Sequence, residues 1–142
     1  MHVPIKVDYG VRALVDLAMY GTDGNSLRAS DISQRTAIPN AYLAQVLNSL
    51  KKAGFVKSTR GPNGGHELAV DPDRIHLSSI MEVLDGTDNL VNCLIDDNFC
   101  VHSPACAQKE IWRTVEEAIH GVLFSITVSD LARRTQLIKL RL

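Results

Sequence analysis

The sequence predicts a mainly α-helical fold with one small β-hairpin: a winged helix-turn-helix followed by a long C-terminal helix. Three observations predict it. Apolar residues recur at helical spacing in consecutive segments up to Leu50. Two short β-rich runs, FVKSTR and HELAV, then flank the loop GPNGG. Further on, a wide apolar stripe runs from Ala107 to about Ser125, wider than one small domain needs.

Each element has its own signals. Val11, Leu14, Val15 and Ala18 place a first amphipathic helix over roughly residues 7–20, and Gly21 and Gly24 end it. Ser30 is expected to cap a short helix reaching about Thr36, with Asp31 favouring its positive end. Pro39 holds Ile38 extended and opens the next helix. In that helix Leu43, Val46, Leu47 and Leu50 mark a buried face, and Gly54 closes it. Asn40, Ala44, Gln45, Asn48 and Lys51 are left on the outer face, which is slender, polar and free of acid. A DNA major groove about 12 Å wide admits such a helix, and Asn and Gln can each read an adenine edge. In the hairpin, Arg60 falls at the tip beside glycines that let the backbone approach closely. A wing of this kind can set an arginine in a narrow minor groove, where the negative potential is enhanced. The order of elements, with the basic stretch on the last two, points to double-stranded DNA. A small α+β domain with an ordinary surface hairpin is the plainer alternative.

Ser78 is expected to cap a short helix from about Ser79 to Leu84, ended by Gly86. Cys93, Cys100 and Cys106 follow with spacing C-x(6)-C-x(5)-C. That spacing is too wide for the paired CxxC knuckles of ordinary structural zinc sites. Soft thiolates suit iron–sulfur clusters and zinc alike, whereas three unrelated buried cysteines are the plain alternative. A fourth position is open to Asp8, His102, Asp96, Asp97, water or a small thiol. Asp96 and Asp97 read better as solvated loop residues. Ile111, Val115, Ala118, Val122 and Ile126 then form one stripe, with Trp112, Ile119 and Leu123 beside it. We read this as an antiparallel homodimer helix rather than a core helix. Thr127 or Ser129 caps a last helix carrying Leu131, Arg133 and Arg134, and the tail QLIKLRL packs on the partner or frays. The chain thus divides into a DNA-binding domain (1–75), a linker helix with the cysteine loop (76–106) and a dimerisation helix with its tail (107–142).

Composition bounds these expectations. The 142 residues are 45% hydrophobic and 22% charged, an ordinary globular mixture. A formal net charge of −1 argues against an indiscriminate nucleic-acid packager or a membrane-surface binder. The average conceals a split: residues 1–70 sum to +3, residues 71–110 to −6 and residues 111–142 to +2. Between Pro39 and His66 the only charged residues are Lys51, Lys52, Lys57 and Arg60. No apolar run is long enough to span a bilayer, and Lys6 and Asp8 interrupt any export signal. Three cysteines, an odd number, fit a cytoplasmic thiolate site better than disulfides. No nucleophile elbow, phosphate loop or HExxH motif is present, and the five histidines are scattered, so no enzyme is expected.

The stretch ASDISQRTAIPNAYLAQVLNSLKKAGFVKSTRGPNGGHELA resembles the winged-helix core of the bacterial Rrf-two transcription regulators, the IscR/NsrR/RirA group. The I-P-x-x-Y-L-x-Q-x-L helix and the R-G-x-x-G-G wing carry the likeness. VDYGVRAL, the three-cysteine loop and ITVSDLA extend it over nearly the whole chain. The resemblance implies a homodimer that binds operator DNA and holds an iron–sulfur cluster, 2Fe–2S or 4Fe–4S, on Cys93, Cys100 and Cys106. It implies DNA contacts at Asn40, Ala41, Tyr42, Gln45, Arg60 and Pro62. The LVNC…C…PAC phrasing and Asp8 look most like the nitric-oxide-sensing repressors, in one branch of which an N-terminal aspartate of the other subunit completes the cluster. The iron–sulfur-biogenesis regulators have a histidine three residues after the third cysteine, where this chain has Lys109. The expected function is a cluster-dependent repressor sensing nitric oxide, redox or iron status. A zinc-bound or apo thiol regulator and an iron–sulfur electron carrier are the alternatives.

Overall fold

A computed structural model of the chain describes residues 2–21, 24–86 and 89–142. Helix α1 (Ile5–Tyr20) is the central pillar, and Pro4 stands at its N-cap. Its buried face carries Val7, Ala13, Leu14 and Leu17. Gly10 lies on the same side, where a Cβ would stand 2.2 Å from Leu84 Cδ1. The missing side chain therefore lets α1 pack closely against α4 (Leu77–Asp85).

Helices α2 (Ala29–Thr36) and α3 (Asn40–Lys52) form the helix-turn-helix. Ala37 makes the turn with φ 57°, in the left-handed region. That conformation costs a non-glycine residue about 1–2 kcal/mol. Burial of the next residue, Ile38, and a hydrogen bond from Ser33 Oγ to its carbonyl at 2.5 Å hold the turn in place. All four residues expected on the buried face of α3 are buried. Strands β1 (Val56–Thr59) and β2 (Gly65–Leu68) pair antiparallel, from Val56 opposite Leu68 to Thr59 opposite Gly65.

The cap of α2 corrects the sequence expectation. Arg28, not Ser30, stands at the N-cap, and Ser30 lies inside the helix. The cause is tertiary. Leu27 forms an antiparallel bridge with His66 of β2, which keeps the chain extended through Arg28. The helix starts where that pairing stops. Likewise α4 begins at Leu77 with His76 at its N-cap, because His76 bridges Thr127, so Ser78 is also inside a helix.

Beyond the cysteine loop, α5 (Ala107–Ser125) has the expected bounds. Thr127 caps α6 (Val128–Lys139) with a capping box: its hydroxyl accepts from Asp130 N–H, and the Asp130 carboxylate accepts from Thr127 N–H. Helix α6 returns to α1, placing Val128 and Ala132 among the buried residues. The last helix continues through Lys139, whose ammonium donates to Tyr20 Oη at 2.9 Å. Most of QLIKLRL is therefore helical and tied to α1 in its own chain, not frayed.

Candidate DNA interface and cysteine loop

The helix-turn-helix presents Asn40, Ala41, Tyr42, Ala44, Gln45 and Asn48 as exposed residues of α3. Asn40 opens the helix, so the helix's positive end and its first side chains lie together. The Tyr42 ring packs edge-on against Tyr9 of α1 with centroids 5.8 Å apart. This contact restrains Tyr42 without removing it from solvent.

Arg60 and Pro62 lie exposed in the wing loop. The glycines around them have separate jobs. Gly61 sits at φ 109°, which favours glycine. A Cβ on Gly64 would come within 2.2 Å of the Thr59 carbonyl oxygen, and one on Gly65 within 2.6 Å of the Leu27 carbonyl oxygen. The R-G-x-x-G-G pattern is thus a packing requirement of the wing. Lys57 pairs with Glu67 across the strands at 3.2 Å, so one of the four expected cations is partly neutralised. His66 meets Ser58 Oγ at 2.7 Å through Nδ1, and burial, then the nearby Lys51 charge, hold its pKa below 6.5.

The cysteine loop is tied to α5 at its start and again from its middle onward. Glu116 accepts from Leu90 N–H at 2.5 Å and from the Asn89 amide at 3.3 Å. Lys109 is buried, and its ammonium donates to the Asp97 carboxylate and to Ser103 Oγ. Lys109 is thus a tether from α5 to the loop. Hydrogen bonding to Lys109, then its charge, hold the Asp97 carboxyl below the usual carboxylate range. Asp96 accepts from Asn98 N–H at 2.9 Å, closing a local turn.

Cys93, Cys100 and Cys106 are free and half-buried. As a donor set they fit an iron–sulfur cluster: soft, close in sequence and not paired in disulfides. Their present placement does not gather them. Among the described residues no three His, Cys, Asp or Glu side chains stand close enough to share one metal ion, so neither Asp8 nor His102 joins the cysteines there. Asp8 instead forms an ion pair with Arg12 at 2.6 Å, one turn along α1. Arg12 also donates to the Thr36 carbonyl at the end of α2 at 3.3 Å.

The residues that hold this site were not singled out in the sequence, Lys109 as a departure apart. Arg12, Arg28 and Glu116 look there like ordinary surface charges. The one local hint is Lys109, a cation at the start of an acidic loop's exit helix.

An exposed polar helix beside a glycine-built, arginine-bearing wing defines a winged-helix DNA-binding protein. The Rrf2 family, described as an iron-dependent transcriptional regulator, matches residues 4–134. The chain belongs to that family. It is 31% identical to the protein rrf2 of Nitratidesulfovibrio vulgaris over 137 residues, 96% of this chain and 91% of that protein. The solved structure of T. potens IscR is similar at TM-score 0.75 and 32% identity, covering 95% of this chain and 88% of that one. That of CymR, the global cysteine regulator of B. subtilis, is similar at TM-score 0.79 and 32% identity, covering 94% and 98%. These relatives are regulators rather than enzymes. Among the described residues no helix is long and apolar enough to cross a membrane.

Proposed function

We propose that this transcriptional regulator is a cytoplasmic homodimeric repressor that reads an operator with α3 and the wing and holds an iron–sulfur cluster on Cys93, Cys100 and Cys106. The observation that carries the DNA half is the acid-free exposed face of α3 beside Arg60. Asn40, Ala41, Tyr42 and Gln45 face the major groove in this reading, and Arg60 and Pro62 meet the minor groove. The three-thiol loop, with IscR among the relatives, supports the cluster half.

The cluster, when bound, supplies a centre that reacts with nitric oxide or oxygen. The protein's part is to gather the thiols by moving the loop between its two anchors, Glu116 and Lys109. Asp8 of the partner subunit is the candidate fourth ligand, and taking up that role requires it to leave Arg12. The dimer reading is supported by α5, whose only buried residue among those described is Lys109, while Ile111 and Val122 are more than 60% exposed.

Anaerobic purification tests the cluster directly. The wild type is expected to absorb in the visible range and to lose that absorption with nitric oxide. Ala at any of the three cysteines is expected to abolish it, and a colourless wild type with stoichiometric zinc defeats the proposal. Unchanged spectra and nitric-oxide reactivity in Asp8→Ala remove Asp8 from the ligand set. The separation of the thiols favours one second reading, a thiol-redox regulator without a cluster. Metal analysis separates the two.

A further inference from the structure

We propose that Arg28 is a positioning residue for the wing, bracing its tip against the helix-turn-helix so that Arg60 and Pro62 present one fixed geometry to DNA. The inference rests on the DNA-binding reading of the wing. A two-stranded hairpin alone is marginally stable in water, and each strand here has four residues. The tip between them contains Gly61 and Gly64, which adds conformational freedom. An ordered wing therefore needs support from outside the hairpin.

The structure provides two ties. The first holds β2 one residue beyond the tip: Leu27 N–H donates to the His66 carbonyl at 2.8 Å, and His66 N–H donates back at 2.7 Å. The second holds the tip: the Arg28 guanidinium donates to the Pro62 carbonyl at 3.0 Å, across 34 residues of sequence. The root of this side chain is itself fixed. The Arg28 carbonyl accepts from both Asp31 N–H and Ile32 N–H at 3.1 Å, locking it to the first turn of α2. Leu27, one residue before, is locked to β2. Among the described residues Arg28 makes no ion pair, so its tie to the carbonyl competes with no carboxylate. The residue that bears directly on Pro62 thus belongs to the helix-turn-helix.

The test uses the full chain as wild type, R28A, R28K and R60A. Backbone 15N order parameters are read at Gly61, Asn63, Gly64 and Gly65 without DNA. Affinity is read across a salt series for a duplex that the wild type selects from a randomised pool. R28A is expected to lower the order parameters and to weaken binding about three- to tenfold, the effect of one modest hydrogen bond. The slope of log affinity on log salt is expected to stay as in the wild type. R28K is expected to recover part of both losses, since one ammonium donor can reach the carbonyl. R60A is expected to lower the slope by about one while leaving the wing ordered. Wild-type order parameters in R28A overturn the brace, whatever happens to binding. A slope lowered by about one in R28A, with the wing still ordered, makes Arg28 a phosphate contact and also overturns it. A wild type that selects no sequence defeats the DNA-binding reading instead, and the order parameters still decide the brace.

Discussion

Lys109 and His66 show how single residues here take their roles from distant neighbours. Lysine is rarely buried without partners, because removing its charge from water is costly. Lys109 meets that condition with Asp97 and Ser103 and so joins the middle of the cysteine loop to α5. Lys109→Met keeps the apolar stem and removes the donor. It is expected to lower the melting temperature and to speed proteolysis between residues 89 and 106. Unchanged cleavage would show that the tether does not restrain the loop. His66 carries a pH dependence just below neutrality. Its folded pKa lies below 6.5 because burial, then Lys51, disfavour the proton. The unfolded chain therefore binds the proton more readily, and stability rises with pH between the two values. The contribution is complete above about 6.5 and is lost as the pH falls through the folded value. Melting curves between pH 7.5 and 5 are expected to show this loss, and His66→Gln is expected to flatten that part of the profile.

Element by element, the starts of α2 and α4 were the least legible features. The buried faces of α1 and α3 follow from 3.6-residue periodicity, which is written in the sequence. The starts of α2 and α4 depend on bridges, Leu27 to His66 and His76 to Thr127, whose partners come from other elements. A serine with good capping chemistry loses to a backbone pairing that keeps the preceding residue extended. At Thr127 the bridge to His76 keeps the capping residue itself extended, so pairing and local chemistry agree and the capping box forms. The wing glycines belong to this scale as well. Gly65→Ala puts a methyl against the Leu27 backbone, a neighbour that cannot rotate away. The expected cost is about 1–3 kcal/mol, as for overpacking elsewhere. Operator affinity should fall with it, read by thermal melts and by binding at fixed salt. Gly61→Ala meets no neighbouring atom within 4 Å, so its cost is confined to the backbone conformation.

At the scale of the whole molecule, α5 is the element that one chain leaves unfinished. Ile111, Trp112, Ala118 and Val122 of its apolar stripe are exposed, and Val115, Ile119, Leu123 and Ile126 are half-buried. A second copy covering that stripe is the expected assembly, with Ile111→Glu and Val122→Glu shifting sedimentation from dimer to monomer. A wild type that sediments as a monomer at micromolar concentration would leave the stripe without that explanation. The sequence alone determined the helix-turn-helix, the acid-free face of α3, the wing and the three-thiol loop. Each is a local pattern, of periodicity, turn residues or spacing, and needs no knowledge of what packs beside it. Only the tertiary structure decided that Arg28 reaches the wing, that Lys109 tethers the loop, that Asp8 pairs with Arg12, and that α6 returns to α1 through Lys139 and Tyr20. The long-range ties join residues as far as 119 positions apart. A charged side chain on a helix does not encode which distant carbonyl, carboxylate or ring will come within reach. Packing of the apolar faces sets those distances, and the polar contacts form where it brings their partners together.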